Sequence, residues 1–221
     1  MVAIVTGASS GLGLAIAELL GARMPVVGVS RHQRPSPRQR GEGGAKRRVR
    51  GATRHVLGDA ANPETARRAI EEAERLGAID LLVNCAGAGI FGPAGSYDEK
   101  AIDDVLDANL KATIVFCNAL FARFAKDGGT IVNVLSTAAL VGKPNESVYC
   151  AAKWGARGYT EALRAEAKGT KARVISVAPG GMDTPFWPER REGFMDPKEV
   201  AAVIVDAIDR RVNVTEITIT R

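Results

Sequence analysis

The 221-residue chain predicts an α/β fold, a doubly wound sheet of seven mainly parallel strands with helices on both faces. Three observations carry that prediction. Short, β-branched apolar runs alternate with amphipathic stretches from one end of the chain to the other. The first apolar run enters a glycine-rich turn and then a helical pattern at once. The turns after residues 6, 84, 135 and 178 hold the chemically distinctive side chains, and these are the turns that a parallel sheet collects along one carboxyl edge.

Strands are expected near 2–6, 25–29, 55–58, 79–84, 130–135, 172–178 and 215–220. Helices are expected near 12–22, 64–76, 98–126 (broken near 104), 147–168 and 197–210. Ala66, Ala69, Ile70 and Ala73 fall on one face of the second helix, and Val200, Val203, Ile204, Ala207 and Ile208 repeat that spacing in the last. Parallel strands need right-handed crossovers, so the elements describe one domain over 1–221. Residues 183–196, rich in Pro, Phe and Trp and lying between the sixth strand and the last helix, read as a lid.

The segment 31–55 breaks the pattern. A crossover helix belongs there, yet the stretch has two prolines, several glycines and almost no apolar residues. It carries nine basic residues against one acid, Glu42, which is +8; the whole chain is +5, so the remainder is −3. A solvated basic loop in place of the helix is the favoured reading. A phosphate or nucleic-acid patch is a second, weakened because no aromatic residue is interleaved for base stacking. A local reading-frame disturbance in the gene is a third.

Composition bounds the rest. With 46% hydrophobic and 25% charged residues the chain reads as an ordinary globule. No consecutive apolar run reaches the ~18–20 residues of a bilayer span. The opening Met1-Val2-Ala3-Ile4-Val5 has no basic leader, so a cytoplasmic protein without membrane attachment is expected. Cys85, Cys117 and Cys150 form no C-x-x-C pair and suit buried thiols in a reducing compartment. No cluster has metal-ligand spacing, and no metal is expected. The two histidines, His32 and His55, lie within the basic segment, which argues against a Ser-His-Asp hydrolase.

Tyr149 and Lys153 are four residues apart, on one face of the predicted helix, and Ser136 lies thirteen residues upstream. An ammonium beside a phenol is expected to lower its pKa from about 10. A phenol so tuned passes a proton to or from a carbonyl or alcohol oxygen, which a serine hydroxyl also hydrogen-bonds. In the first turn, Gly7, Gly11 and Gly13 allow a tight bend and close backbone approach, and the following helix start offers N–H groups and a positive dipole end to a pyrophosphate. Their G-x-x-x-G-x-G spacing differs from the general G-x-G-x-x-G fingerprint.

Together these motifs resemble the short-chain dehydrogenase/reductase family across most of the chain. Thr6-Gly7 through Gly13 is similar to its cofactor loop, Asn84-Cys85-Ala86-Gly87 to its Asn-x-Ala-Gly motif, and Pro179-Gly180 with Thr184 to its nicotinamide segment. Asn109, Ser136, Tyr149 and Lys153 are similar to its catalytic four, in order and separation. The resemblance implies a Rossmann fold and an oxidoreductase exchanging hydride between a nicotinamide dinucleotide and a small carbonyl or alcohol. It implies Tyr149 as general acid/base, Lys153 lowering its pKa and bonding the ribose, Ser136 polarising the substrate oxygen, and Asn109 holding a relay water. Cofactor contacts are expected from Gly7, Ser9, Ser10, Gly11, Leu12, Gly13, Arg31, Asp59, Ala60, Asn84, Ala86, Gly87, Tyr149, Lys153, Pro179, Gly180, Met182 and Thr184, and substrate contacts from Ile90, Phe91, Ala138, Phe186 and Trp187. Ser30-Arg31 at the end of the second strand suits a 2′-phosphate, so NADP is expected over NAD. A homodimer or homotetramer is the family expectation. A dinucleotide-binding sensor or scaffold without turnover is the alternative.

Overall fold

The computed structural model describes residues 1–32, 53–187, 189 and 192–221. Seven strands form one sheet: β1 (Val2–Thr6), β2 (Val26–Ser30), β3 (Thr53–Leu57), β4 (Ile79–Asn84), β5 (Gly129–Val134), β6 (Ala172–Pro179) and β7 (Glu216–Ile219). Their order is β3-β2-β1-β4-β5-β6-β7, and every pairing is parallel. The doubly wound fold is therefore as the sequence predicts. The bulk of the segment 31–55 lies outside the described residues; of it, Arg31, His32 and β3's Thr53 to His55 are described.

Among the described residues six α-helices cover the sheet: α1 (Gly11–Gly21), α2 (Pro63–Glu74), α3 (Glu99–Leu106), α4 (Ala112–Asp127), α5 (Ser147–Glu166) and α6 (Pro197–Asp209). Asn62-Pro63 and Asp196-Pro197 start two of them. In each the cap side chain accepts a backbone N–H while proline fills a position that needs no donor. Successive β1 residues feed opposite faces. Val2 and Ile4 join Phe116, Leu120 and Phe124 on the side of α2, α4 and α5, while Ala3 and Val5 join Ile16, Leu20 and Ile204 on the side of α1 and α6. Both faces of the strand are buried, which is why it reads as continuously apolar.

Glu99–Asp127 runs as one 29-residue helix, long and apolar enough to cross a membrane by length and composition. Its apolar stripe is committed elsewhere, because Phe116, Leu120 and Phe124 are fully buried against the sheet. The break expected near 104 falls instead at Asp107–Lys111, a π turn joining α3 to α4. A π turn adds a residue without interrupting the helix, so no breaker announces it in the sequence.

The winding reverses between β1 and β4, and a cleft opens there along the carboxyl edge. Thr6 Oγ1 accepts the N–H groups of Cys85 and Ala86, both at 3.0 Å, tying the turn after β1 to the turn after β4.

Candidate active site

The cleft has a volume of about 660 Å³. Its floor is the turn between β1 and α1. Gly7 has φ 70°, in the left-handed region, and a Cβ there would lie 2.8 Å from the Cys85 carbonyl oxygen. At Gly13 a Cβ would sit 2.4 Å from the Gly7 carbonyl oxygen, so only glycine lets α1 start this close to the strand. Ser10 precedes the helix with extended backbone and no side-chain cap, and the first turn holds no acid. Residues Ser9 through Gly13 line the cleft. An uncapped helix start in a glycine cradle has the donor chemistry that a pyrophosphate needs.

Tyr149 and Lys153 both project from α5 into the cleft and are 6% and 4% exposed. The Lys153 Nζ lies 5.8 Å from the Tyr149 ring centroid and donates to the Val134 carbonyl at 3.1 Å. Here the sequence expectation needs correction. Burial pushes the Tyr149 phenol up, not down; a hydrogen bond from the Ser136 hydroxyl pulls the other way, and the Glu146 charge adds to the rise. Burial also pushes Lys153 down to about 8. Both groups lose water together, so removal of hydration outweighs the attraction between ammonium and phenolate. Ser136 caps the 3₁₀ turn Thr137–Ala139, its Oγ accepting the Ala138 N–H at 3.1 Å.

Asn109 stands in the middle of the π turn and is 1% exposed. Its Nδ2 donates to the Ala88 carbonyl at 2.7 Å and the Val105 carbonyl at 2.8 Å, while Oδ1 is buried without a partner. That oxygen and Lys153 Nζ flank the same space, since a Cβ on Gly87 would lie 2.9 Å from one and 3.9 Å from the other. The structure thus brings Asn109, Ser136, Tyr149 and Lys153 to one cleft, together with all but one of the expected cofactor residues. The exception is Asn84. Its Nδ2 donates to Asn133 Oδ1 at 2.9 Å, Asn133 Nδ2 donates to Thr160 Oγ1 at 3.0 Å, and Thr160 Oγ1 donates to the Ala156 carbonyl at 2.7 Å. This buried chain stitches β4 to β5 and α5, and it turns Asn84 away from the cleft lining. Asp59, at the rim, accepts the Ala61 N–H at 2.8 Å.

Of the expected substrate residues, Phe186 and Trp187 line the cleft, whereas Ile90, Phe91 and Ala138 do not. Those three pack in the cluster around Tyr149, with Ala138 fully buried. Phe91 meets the Tyr149 ring edge-on at 5.8 Å and stacks on Trp187 at 5.0 Å, so it packs against both rings. Phe186 lies 5.6 Å from Tyr149, and Trp187 lies 5.5 Å from Phe194. Beyond β6, Asp183 N–H donates to the Met195 carbonyl and Met195 N–H donates to the Gly181 carbonyl, each at 3.0 Å. Thr184 abuts Gly11 at the start of α1. Sequence reasoning did not find Lys143 and Glu146, which also line the cleft. The signal available was a charged residue three positions before Tyr149, preceded by an asparagine able to take the left-handed conformation.

Comparison with known proteins agrees with this geometry. A family profile described as short chain dehydrogenase matches residues 1–194. An uncharacterized oxidoreductase of Staphylococcus saprophyticus is 30% identical over 230 residues, covering 99% of this chain and 96% of the relative. The D-threitol dehydrogenase of Mycolicibacterium smegmatis is 37% identical over 182 residues, 80% of this chain and 68% of that enzyme. The crystal structure of a short-chain dehydrogenase from Burkholderia cenocepacia in complex with NADP superposes with a TM-score of 0.81 at 29% identity, covering 100% of this chain and 88% of that one. The profile match over residues 1–194 and the near full-length relative at 30% identity lead to one conclusion: the chain belongs to the short-chain dehydrogenase/reductase family of oxidoreductases.

Proposed function

We propose that the protein is an NADP-linked reductase of small carbonyl compounds, able to run as an alcohol dehydrogenase, with Tyr149 as proton donor and acceptor. The observation that carries this reading is the buried Tyr149, hydrogen-bonded by Ser136, beside a Lys153 with no acidic partner among the described residues, in the same cleft as the uncapped start of α1. Gly7 through Gly13, Ala86, Gly87, Pro179, Gly180, Met182 and Thr184 would hold the dinucleotide. When bound, that group supplies the hydride for reduction or accepts it in oxidation. The Ser136 hydroxyl donates to the carbonyl oxygen and polarises it. Tyr149 passes its phenolic proton to the same oxygen as the alcohol forms. The positive charge on Lys153 stabilises the phenolate left behind. Asn109, with its free buried Oδ1, holds a water through which Tyr149 regains a proton. The aromatic lid over Tyr149 keeps bulk water from the reacting atoms.

NADP is favoured over NAD by Ser30 and Arg31, which line the cleft at the end of β2 where an acid would meet a free 2′-hydroxyl. NADPH should bind at least about tenfold tighter than NADH, a single charge-assisted contact of about 1.4 kcal/mol. Titration of nucleotide fluorescence measures this, and equal or reversed affinities would sink the NADP assignment. Gly13→Ala should weaken dinucleotide binding by at least about tenfold, because the added methyl displaces the cradle and forfeits a charge-assisted hydrogen bond of about 1.5–3 kcal/mol. A variant binding as well as wild type would show that the cradle is not the pyrophosphate site. In this reading the protein is cytoplasmic, with its three cysteines as free thiols, and self-associates through α4 and α5, where Trp154 is 49% exposed.

A further inference from the structure

We propose that Glu146 is a substrate-recognition residue of this cleft and that it selects polyhydroxylated substrates, short ketoses and alditols, through a hydroxyl beyond the reacting carbon. The proposal rests on the reductase reading for the identity of the reacting carbon, but its own evidence is separate. Glu146 lines the cleft with Ser136 and Tyr149, and its Oε2 is buried without a hydrogen-bond partner. Its negative charge raises the Tyr149 phenol across the cleft. Buried acceptors of this kind are nearly always satisfied, and a hydroxyl entering the cleft would supply the donor.

The backbone holds this carboxylate in place. Asn145 sits at φ 62°, the only described non-glycine residue with positive φ. Its carbonyl accepts the Gly92 N–H at 2.9 Å and the Tyr97 hydroxyl at 3.0 Å, so the loop before α5 is bolted to the loop after β4. Glu146 follows directly as the residue before α5, and its side chain makes no capping bond to that helix. The left-handed residue therefore sends the next side chain toward the cleft and away from the helix end it could have capped.

Two donor chemistries could satisfy Oε2, a hydroxyl and an ammonium. Lys143 and Lys153 line the same cleft, and a cationic substrate would meet both. Lys143 is engaged by Thr137 Oγ1 at 3.0 Å, which keeps its charge in place as a fixed neighbour. A neutral hydroxyl meets the carboxylate without that repulsion. The lid adds Phe186, Trp187 and Phe194 to the lining. Aromatic rings pack against the C–H faces of a polyol while its hydroxyls turn to the polar wall. Sites built to hydrogen-bond a substrate hydroxyl discriminate strongly against analogues lacking it, because the buried acceptor is then left unpaired.

Calorimetric titration of the 221-residue protein, loaded with the dinucleotide, tests this with threitol, erythritol and butan-2-ol against wild type, Glu146→Gln and Glu146→Ala. The ratio of tetritol to butan-2-ol affinity should fall at least about tenfold in Glu146→Ala, about 1.4 kcal/mol, and by less in Glu146→Gln, which keeps an acceptor oxygen. A ratio unchanged in Glu146→Ala overturns the proposal, as does a wild type that binds an amino alcohol more tightly than either tetritol. Binding needs no turnover. Glu146-dependent tetritol binding without any dehydrogenase activity would uphold this inference and sink the reductase reading, whereas reductase activity with Glu146-independent binding would do the reverse.

Discussion

Replacing Tyr149 with phenylalanine should lower kcat/KM for carbonyl reduction by about 10²–10⁴-fold, the usual contribution of a positioned proton donor. The affinity for the dinucleotide should stay within a few-fold of wild type. The substitution removes one oxygen and keeps the ring, so the contacts of Tyr149 with Phe91 at 5.8 Å and Phe186 at 5.6 Å survive. A loss of activity then reports the proton and not the packing. Burial holds the phenol above its ordinary value, so at neutral pH it carries its proton and is ready as an acid for reduction. Oxidation needs the phenolate, and its rate should climb with pH. Lys153, pushed down to about 8, loses its charge as pH rises through that value. Reduction should therefore be fastest below about pH 8 and decline above it, when the cation that stabilises the phenolate is gone. Steady-state rates from pH 6 to 10 in both directions check the signs. Activity in Tyr149→Phe equal to wild type across a carbonyl panel would remove the phenol from the mechanism.

Much of this site was legible in the sequence, and the reason is topological. Residues after β1, β4, β5 and β6 meet at one edge whatever the details of the loops, so Gly7, Ala86, Ser136 and Gly180 could be brought together from strand patterns alone. What was not legible depends on angles that no periodicity encodes. Asn109 was named through the family resemblance, but the π turn that rotates it inward between α3 and α4 was not legible, and the break expected near 104 fell short of it. Asn84 looked like a cofactor ligand because it begins a cofactor-loop motif; its side chain answers to Asn133 instead, across a strand pair whose register only the sheet reveals. Ala138 was expected to contact substrate from its place beside Ser136, but a 3₁₀ turn folds it inward. The Tyr149 phenol was expected to be lowered by Lys153 because spacing reports proximity and says nothing of how much water the pair gives up.

Lys153→Met should make the protein more stable even as it disables the site, because the native fold holds an ammonium in a place that disfavours charge. Lys153 is 4% exposed, and it donates to the Val134 carbonyl, with no carboxylate paired to it among the described residues. Its pKa falls from 10.5 to about 8. Below about pH 8 the lysine is protonated in both native and unfolded chains, and the full desolvation cost, about 3 kcal/mol at 1.36 kcal/mol per pH unit, weighs against the fold. Between about 8 and 10.5 the unfolded chain binds more protons at this residue than the native one, so this contribution to stability rises with pH. Methionine has no charge to lose and fills similar space, though it forfeits a charge-assisted hydrogen bond worth about 2 kcal/mol. Urea unfolding at pH 7 without dinucleotide should show Lys153→Met ahead by about 1 kcal/mol, and the gap should narrow by pH 9.5. Burial also raises Cys85 and Cys117, to about 12, and Tyr149 and Tyr159, and all four deprotonate more readily when unfolded. They lower stability above about pH 9 in both proteins and largely cancel in the difference. A variant less stable than wild type at pH 7 would mean that Lys153 is a net structural tie; a more stable one identifies it as a charge retained against the interest of the fold, which only chemistry at the cleft explains.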